Sequence, residues 1–193
     1  TRSMNEHELR AELLRLLSDG MPEPASTAVD GERDLVPLAL DMDGDVAVVS
    51  FLRHQNGGTG GCFIEGVTFH KRDGEWIELG GGGAWAPDEP LARRPAAELG
   101  GHLIRYATGR TVRNANRMFP WGAKWVSEAK LRASSEVARI RVGARLLDVP
   151  AHGHVVVVWT ARRDPVVEAL DHDGVVLESL DLGPRLVPLA TTA

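Results

Sequence analysis

Cysteine is almost missing from this chain. Cys62 stands alone, so no intramolecular disulfide can close and no thiolate metal cluster can form. Lysine is nearly as scarce: Lys71, Lys124 and Lys130 are the only three, and arginine supplies the remaining positive charge. Aromatic residues make up 5% of the chain, yet five of them are tryptophan. No apolar run approaches the ~18 residues of a membrane-spanning helix, and the strongest, Val155 to Trp159, has the length of a strand. No charged segment followed by an apolar one reads as a signal peptide. The expectation is a soluble protein of the cytoplasm.

Motifs of catalysis are lacking too. There is no Gly-x-Ser-x-Gly elbow and no His-Glu-x-x-His helix. The run Asn56-Gly-Gly-Thr-Gly-Gly61 lacks the Gly-Lys-Ser/Thr ending of a phosphate-binding loop. Gly80 to Gly83 lacks the dinucleotide-binding spacing, and both runs read as loops between strands. Asp41-Met-Asp-Gly-Asp45 places its glycine fourth, whereas a calcium loop needs it sixth. That segment reads as a turn.

What is present points to β structure. One helix comes first: Asn5 can cap it with Glu8 closing a capping box, and Leu9, Leu13, Leu16 and Leu17 form an apolar stripe that ends at Gly20. Short strands follow over 35–40, 46–54 and 62–70, and Asp73-Gly74 is a hairpin signal leading into Trp76 to Leu79. The glycines at 80–83, followed by Pro87, Pro90 and Pro95, predict an end to this meander and a boundary near residue 92. Further strands are expected over 102–107, 137–142, 146–149 and 154–160, with a terminal hairpin of 166–170 and 175–182 turning at Asp173-Gly174. The stretch 111–129 is ambiguous. Strands at this spacing without helical crossovers predict a mainly β protein made of antiparallel sandwiches. The expected organisation is a helix plus β meander over 1–92 and a β-sandwich over 93–193, with a shared core possible for the two.

The run Val137-Ala-Arg-Ile-Arg-Val142, the strand Val155 to Trp159, and Pro165-Val-Val-Glu-Ala-Leu-Asp-His-Asp-Gly174-Val-Val-Leu resemble the end of uncharacterised actinobacterial β-sandwich proteins. The resemblance covers roughly residues 120–183 and implies an immunoglobulin-like second half. It implies no reaction. The preference for arginine over lysine, with abundant Ala, Gly, Val and Asp, fits a GC-rich bacterial coding sequence.

Charge is segregated along the chain. Residues 1–92 carry 7 basic and 17 acidic side chains, a net of −10; residues 93–163 carry 14 and 4, a net of +10; the rest carry 1 and 6, a net of −5. Mutual neutralisation within one compact fold is the simplest account. A sequence pI near 5.8 disfavours nucleic acid as the partner, because dedicated binders have a domain pI above ~9.

Three groups of residues could carry function. The first is Arg105, Arg110, Arg113, Arg117, Trp121 and Trp125, with Tyr106, Phe119, Lys124 and Lys130 interleaved. Arginines beside aromatics can hold a carboxylate or phosphate while a planar group stacks. The second is His152 and His154, which a strand would present on one face as metal ligands, with Asp171, His172 and Asp173 at a hairpin tip able to complete the set. The third is Cys62, a nucleophile only if His54 or His70 lies beside it, and otherwise a small buried hydrophobe. The preferred reading is a non-enzymatic binding or interaction module for a protein or a small anionic ligand, with no cofactor. The alternatives are a metal-assisted enzyme around His152 and His154, and anion or nucleic-acid binding through 105–130.

Overall fold

The computed structural model describes residues 4–22, 35–54, 61–115 and 121–184. Arg117, Phe119 and the glycines at 57, 58 and 60 lie outside these residues. The first helix, α1 (Glu6–Asp19), forms as its sequence dictates. The Asn5 side chain accepts the Glu8 N–H, the Glu8 carboxylate accepts the Asn5 N–H, and Gly20 ends the helix at φ 85°. A positive φ suits glycine, which has no Cβ to clash.

The rest of the described chain is antiparallel β structure arranged as three sheets. The first contains β1 (Leu35–Asp43), β2 (Val46–His54), β3 (Cys62–Arg72) and β4 (Glu75–Trp85) in sequence order. The one-turn helix α2 (Ala96–Leu99) then leads to β5 (Leu103–Val112) and β6 (Trp125–Ala133). The remaining strands are β7 (Arg139–Val142), β8 (Arg145–Asp148), β9 (His154–Trp159), β10 (Val166–Leu170) and β11 (Val176–Asp181). They build a three-stranded sheet β5-β6-β9 and a four-stranded sheet β11-β10-β7-β8. Among the described residues no helix is long and apolar enough to cross a membrane.

Three clusters stack these layers. Leu13, Leu16 and Leu17 of α1 pack on Ala47, Val49, Phe51 and Phe69, covering one face of the first sheet. Its other face meets the three-stranded sheet, where Val46 and Val48 pack with Val126, Val156 and Val158. The opposite face of that middle sheet closes the sandwich core: Ala129, Leu131, Val155, Val157 and Trp159 pack against Ile140, Val142, Val167 and Ala169. Strands β2 and β9 are therefore covered on both sides. Every residue of β9 is buried, as expected where alternate side chains enter two different cores.

Two parts of the chain depart from the sequence expectation. The glycine run does not break the meander, because β4 continues through it to Trp85 and pairs Gly80 with Thr68 and Gly82 with Gly66. Close approach explains Gly81 and Gly83. A Cβ on Gly81 would stand 2.8 Å from the Gly66 carbonyl oxygen, and one on Gly83 would stand 2.6 Å from that of Ile64. Of the ambiguous stretch, 111–112 end β5 and 125–129 begin β6, while 116–120 lie outside the described residues. Strand β6 is hard to read because Glu128, Lys130 and Arg132 alternate with Ala129, Leu131 and Ala133, although all six are buried.

The charged residues of β6 lie between the first two sheets and are satisfied there. Glu128 accepts a hydrogen bond from Thr68 Oγ1 at 3.0 Å and from Lys130 Nζ at 3.0 Å, and Arg132 donates to the Ala92 carbonyl at 2.6 Å. The Lys130 stem crosses Gly66, where a Cβ would stand 2.5 Å from its Cε. The acidic first half and the basic middle segment meet through Asp41–Arg145 at 2.6 Å and Asp45–Arg113 at 2.9 Å. At the corner where β1, β8 and β9 converge, Asp41 Oδ2 also accepts the Val158 N–H at 2.8 Å. This satisfies an edge-strand donor that has no further strand to pair with.

Candidate ligand-binding groove

Strands β5 and β6 have ten and nine residues, whereas β7, β8 and β10 have four, four and five. The short sheet therefore cannot cover the whole inner face of the long one. Register shows what remains open. Thr108 lies opposite Ala129, Arg110 opposite Ser127 and Val112 opposite Trp125, while Ser127 faces Trp159 on the other side. Residues directly opposite in an antiparallel pair share a face. The face that is apolar at Leu131 and Ala129 becomes polar, basic and aromatic at Ser127, Arg110 and Trp125.

This open end forms a groove of about 1200 Å³. Arg105, Arg110, Arg113, Lys124, Trp125 and Glu128 line one side, and Trp159, Thr160, Ala161, Arg162 and Asp164 line the other. The Arg110 guanidinium lies 4.6 Å from the Trp125 ring centroid, at cation–π distance. Among the described residues Arg110, Lys124 and Arg162 have no carboxylate partner, although Glu128 and Asp164 also line the groove. Those two acids are engaged: Glu128 binds Lys130, and Asp164 accepts the Trp159 indole N–H at 3.1 Å. Its walls thus carry cations with unused hydrogen-bonding capacity beside an aromatic ring that is 39% exposed.

The structure sorts the sequence candidates. Arg105, Arg110, Arg113 and Trp125 converge on the groove. Arg105 is committed to structure, donating to the Leu182 carbonyl at 2.7 Å, and Arg113 pairs with Asp45. Trp121 is 73% exposed next to the groove residue Gly122. Arg162, Trp159, Thr108 and Ser127 are additions that sequence alone did not single out. Arg162 and Arg163, three and four residues past the apolar strand β9, were the available signal.

His152 and His154 do not form a metal site with the hairpin tip. Both are buried. His154 Nε2 lies 2.7 Å from the Pro90 carbonyl, which can only accept, so this nitrogen carries the proton and Nδ1, 3.1 Å from the Tyr106 hydroxyl, accepts. His152 Nδ1 accepts the His154 backbone N–H at 3.1 Å. Desolvation holds His152 down at about 4 and His154 at about 3, with the Arg93 and Arg132 cations lowering His152 further and Arg132 lowering His154. Asp171 Oδ1 instead accepts the Asp173 and Val175 N–H groups and shapes the turn. No group of three His, Cys, Asp or Glu side chains able to hold a metal exists among the described residues.

Cys62 does lie beside His54, with Sγ 3.4 Å from Nδ1, because the two are register partners in β2 and β3. Burial pushes its thiol up, the reverse of the lowering that makes a reactive thiolate. No family model, curated protein or solved structure matches this chain.

Proposed function

We propose that the protein is a non-enzymatic binding module whose groove at the open end of β5, β6 and β9 holds a ligand with an anionic group on a planar body. The observation that carries this reading is Arg110 over the exposed Trp125 within a groove where Arg110, Lys124 and Arg162 have no carboxylate partner among the described residues. A carboxylate or phosphate would meet arginine in bidentate geometry while its planar portion lies on the indole. The metal-assisted alternative loses its support because the ring nitrogens of His154 are already occupied.

The immunoglobulin-like character of the second half belongs to the same proposal. Its support is the strand order: β5-β6-β9 facing β11-β10-β7 corresponds to strands A-B-E facing G-F-C, with β8 beside β7. Kinship with the actinobacterial β-sandwich proteins rests on the Asp171–Gly174 hairpin and the strands around it. Loops at one end of such a sandwich commonly carry recognition.

The test is titration of intrinsic tryptophan fluorescence with an aromatic carboxylate and a nucleoside monophosphate. The wild type is expected to saturate with one of them, and Arg110→Glu to bind it at least about tenfold more weakly, a loss of about 1.4 kcal/mol. Equal binding by both proteins, or steady turnover of the ligand, would overturn the reading.

A further inference from the structure

Arg113 and Lys124 form a wall that the groove shares with a second depression, of about 530 Å³, on its far side. His70, Lys71, Arg72, Asp73 and Asn114 complete that depression. It joins the tip of the β3–β4 hairpin to the end of β5, two elements brought together by Asp45, which binds both His70 at 3.0 Å and Arg113 at 2.9 Å. The Lys71 ammonium lies 5.5 Å from the Trp76 ring centroid. Among the described residues Arg72 and Lys124 have no carboxylate partner, and Asp73 is the single acid in the lining.

We infer that groove and depression form one binding track for a single-stranded nucleic acid. The inference rests on the anion-binding reading above and extends it to a ligand class. Length is the first argument. From Arg105 to Arg113 the chain advances eight residues, roughly 25 Å at the rise of a strand, and the second depression continues past that point. A small anion cannot span such a distance, whereas a chain of phosphates can. Chemistry is the second argument. Exposed Trp125 supplies a stacking face along the same track as the cations, the combination used to bind single strands without reading their sequence. A duplex would present its bases already stacked and leave this ring unused. The acidic total charge is an average over all faces, and the acidic residues that lower it sit mostly in the first half of the chain.

Fluorescence anisotropy with a labelled single-stranded oligonucleotide of about ten residues tests this, with a nucleoside monophosphate as the short probe. The full chain is expected to bind the oligonucleotide with an affinity that falls steeply from about 50 to about 200 mM salt. Lys71→Glu/Arg72→Glu, at an exposed hairpin tip, is expected to weaken oligonucleotide binding about tenfold or more. It should also reduce the slope of log affinity against log salt by about 1.4, or 0.7 for each lost phosphate contact, and leave the short probe unaffected. Failure to bind the oligonucleotide, or binding that the double variant does not alter, overturns the track while leaving the groove intact. Equal, salt-sensitive binding of a polyglutamate chain would overturn the assignment to nucleic acid in favour of an acidic polypeptide. Loss of the short probe in Arg110→Glu together with an unaltered oligonucleotide affinity would separate the two sites and also refute a continuous track.

Discussion

Mild acid should destabilise this fold through two side chains, His152 and His154. Both are buried between the first and middle sheets, and both are neutral in the folded protein because desolvation and nearby arginines hold them at about 4 and about 3. In the unfolded chain each returns to about 6.5. Above that pH both states are neutral and the pair adds no pH dependence. As pH falls below 6.5, the unfolded chain takes up protons that the folded chain refuses, so stability is lost with decreasing pH. Each ring costs about 1.4 kcal/mol per pH unit in this window. At pH 4.5 the two together cost up to about 5 kcal/mol, against a total of about 5–15 for a typical domain. Protonating His154 would also remove the acceptor that the Tyr106 hydroxyl uses. Urea unfolding at pH 7, 5.5 and 4.5 measures the effect. His154→Gln can preserve an acceptor for Tyr106 and a donor for Pro90, so it should abolish about half of the pH dependence. A stability that is flat from pH 6.5 to 4.5, or an unchanged dependence in His152→Gln/His154→Gln, would refute the reasoning.

Other consequences are as direct. Replacing Arg145 by Met leaves the buried Asp41 carboxylate without its cation, and loss of about 3–5 kcal/mol is expected at neutral pH. Burial already pushes the Asp41 pKa up, so protonation relieves part of that loss in acid, and urea midpoints across pH would show the gap narrowing. Gly66→Ala should cost about 1–3 kcal/mol, since its Cβ would stand 2.5 Å from Lys130 Cε. Gly153→Ala should cost more than Gly66→Ala by thermal melting, because it combines φ 78° with a Cβ 2.6 Å from the Ala133 carbonyl oxygen.

The fold was largely legible where one physical signal dominated. Asn5 and Glu8 announced the helix, Asp73-Gly74 announced a hairpin, and the valines of β9 announced a buried strand. Legibility failed where long-range packing reversed a local preference. Gly80 to Gly83 look like a breaker, and only the Gly66 and Ile64 carbonyls on β3 show why the strand needs glycine at 81 and 83. Glu128, Lys130 and Arg132 look like a solvated face, and only Thr68, the Ala92 carbonyl and their own pairing make burial possible. The groove was half visible. Arg105, Arg110, Arg113 and Trp125 could be named from their interleaving. The other wall, with Trp159 and Arg162, depends on the β9–β10 connection folding back across the open end of β5 and β6. His152 and His154 were misleading for a related reason: their spacing suits a metal, but the first sheet covers them, and the His154 ring nitrogens are taken by Tyr106 of β5 and by the Pro90 carbonyl in the connection between β4 and α2.

The most direct test of the account is calorimetric titration of the wild type and Arg110→Glu with the aromatic carboxylate and with the nucleoside monophosphate. Saturable binding of one of them by the wild type, weakened about tenfold or more in the variant, is the predicted result. Binding of neither by the wild type, or binding that ignores the change at Arg110, would contradict the groove as the site of recognition.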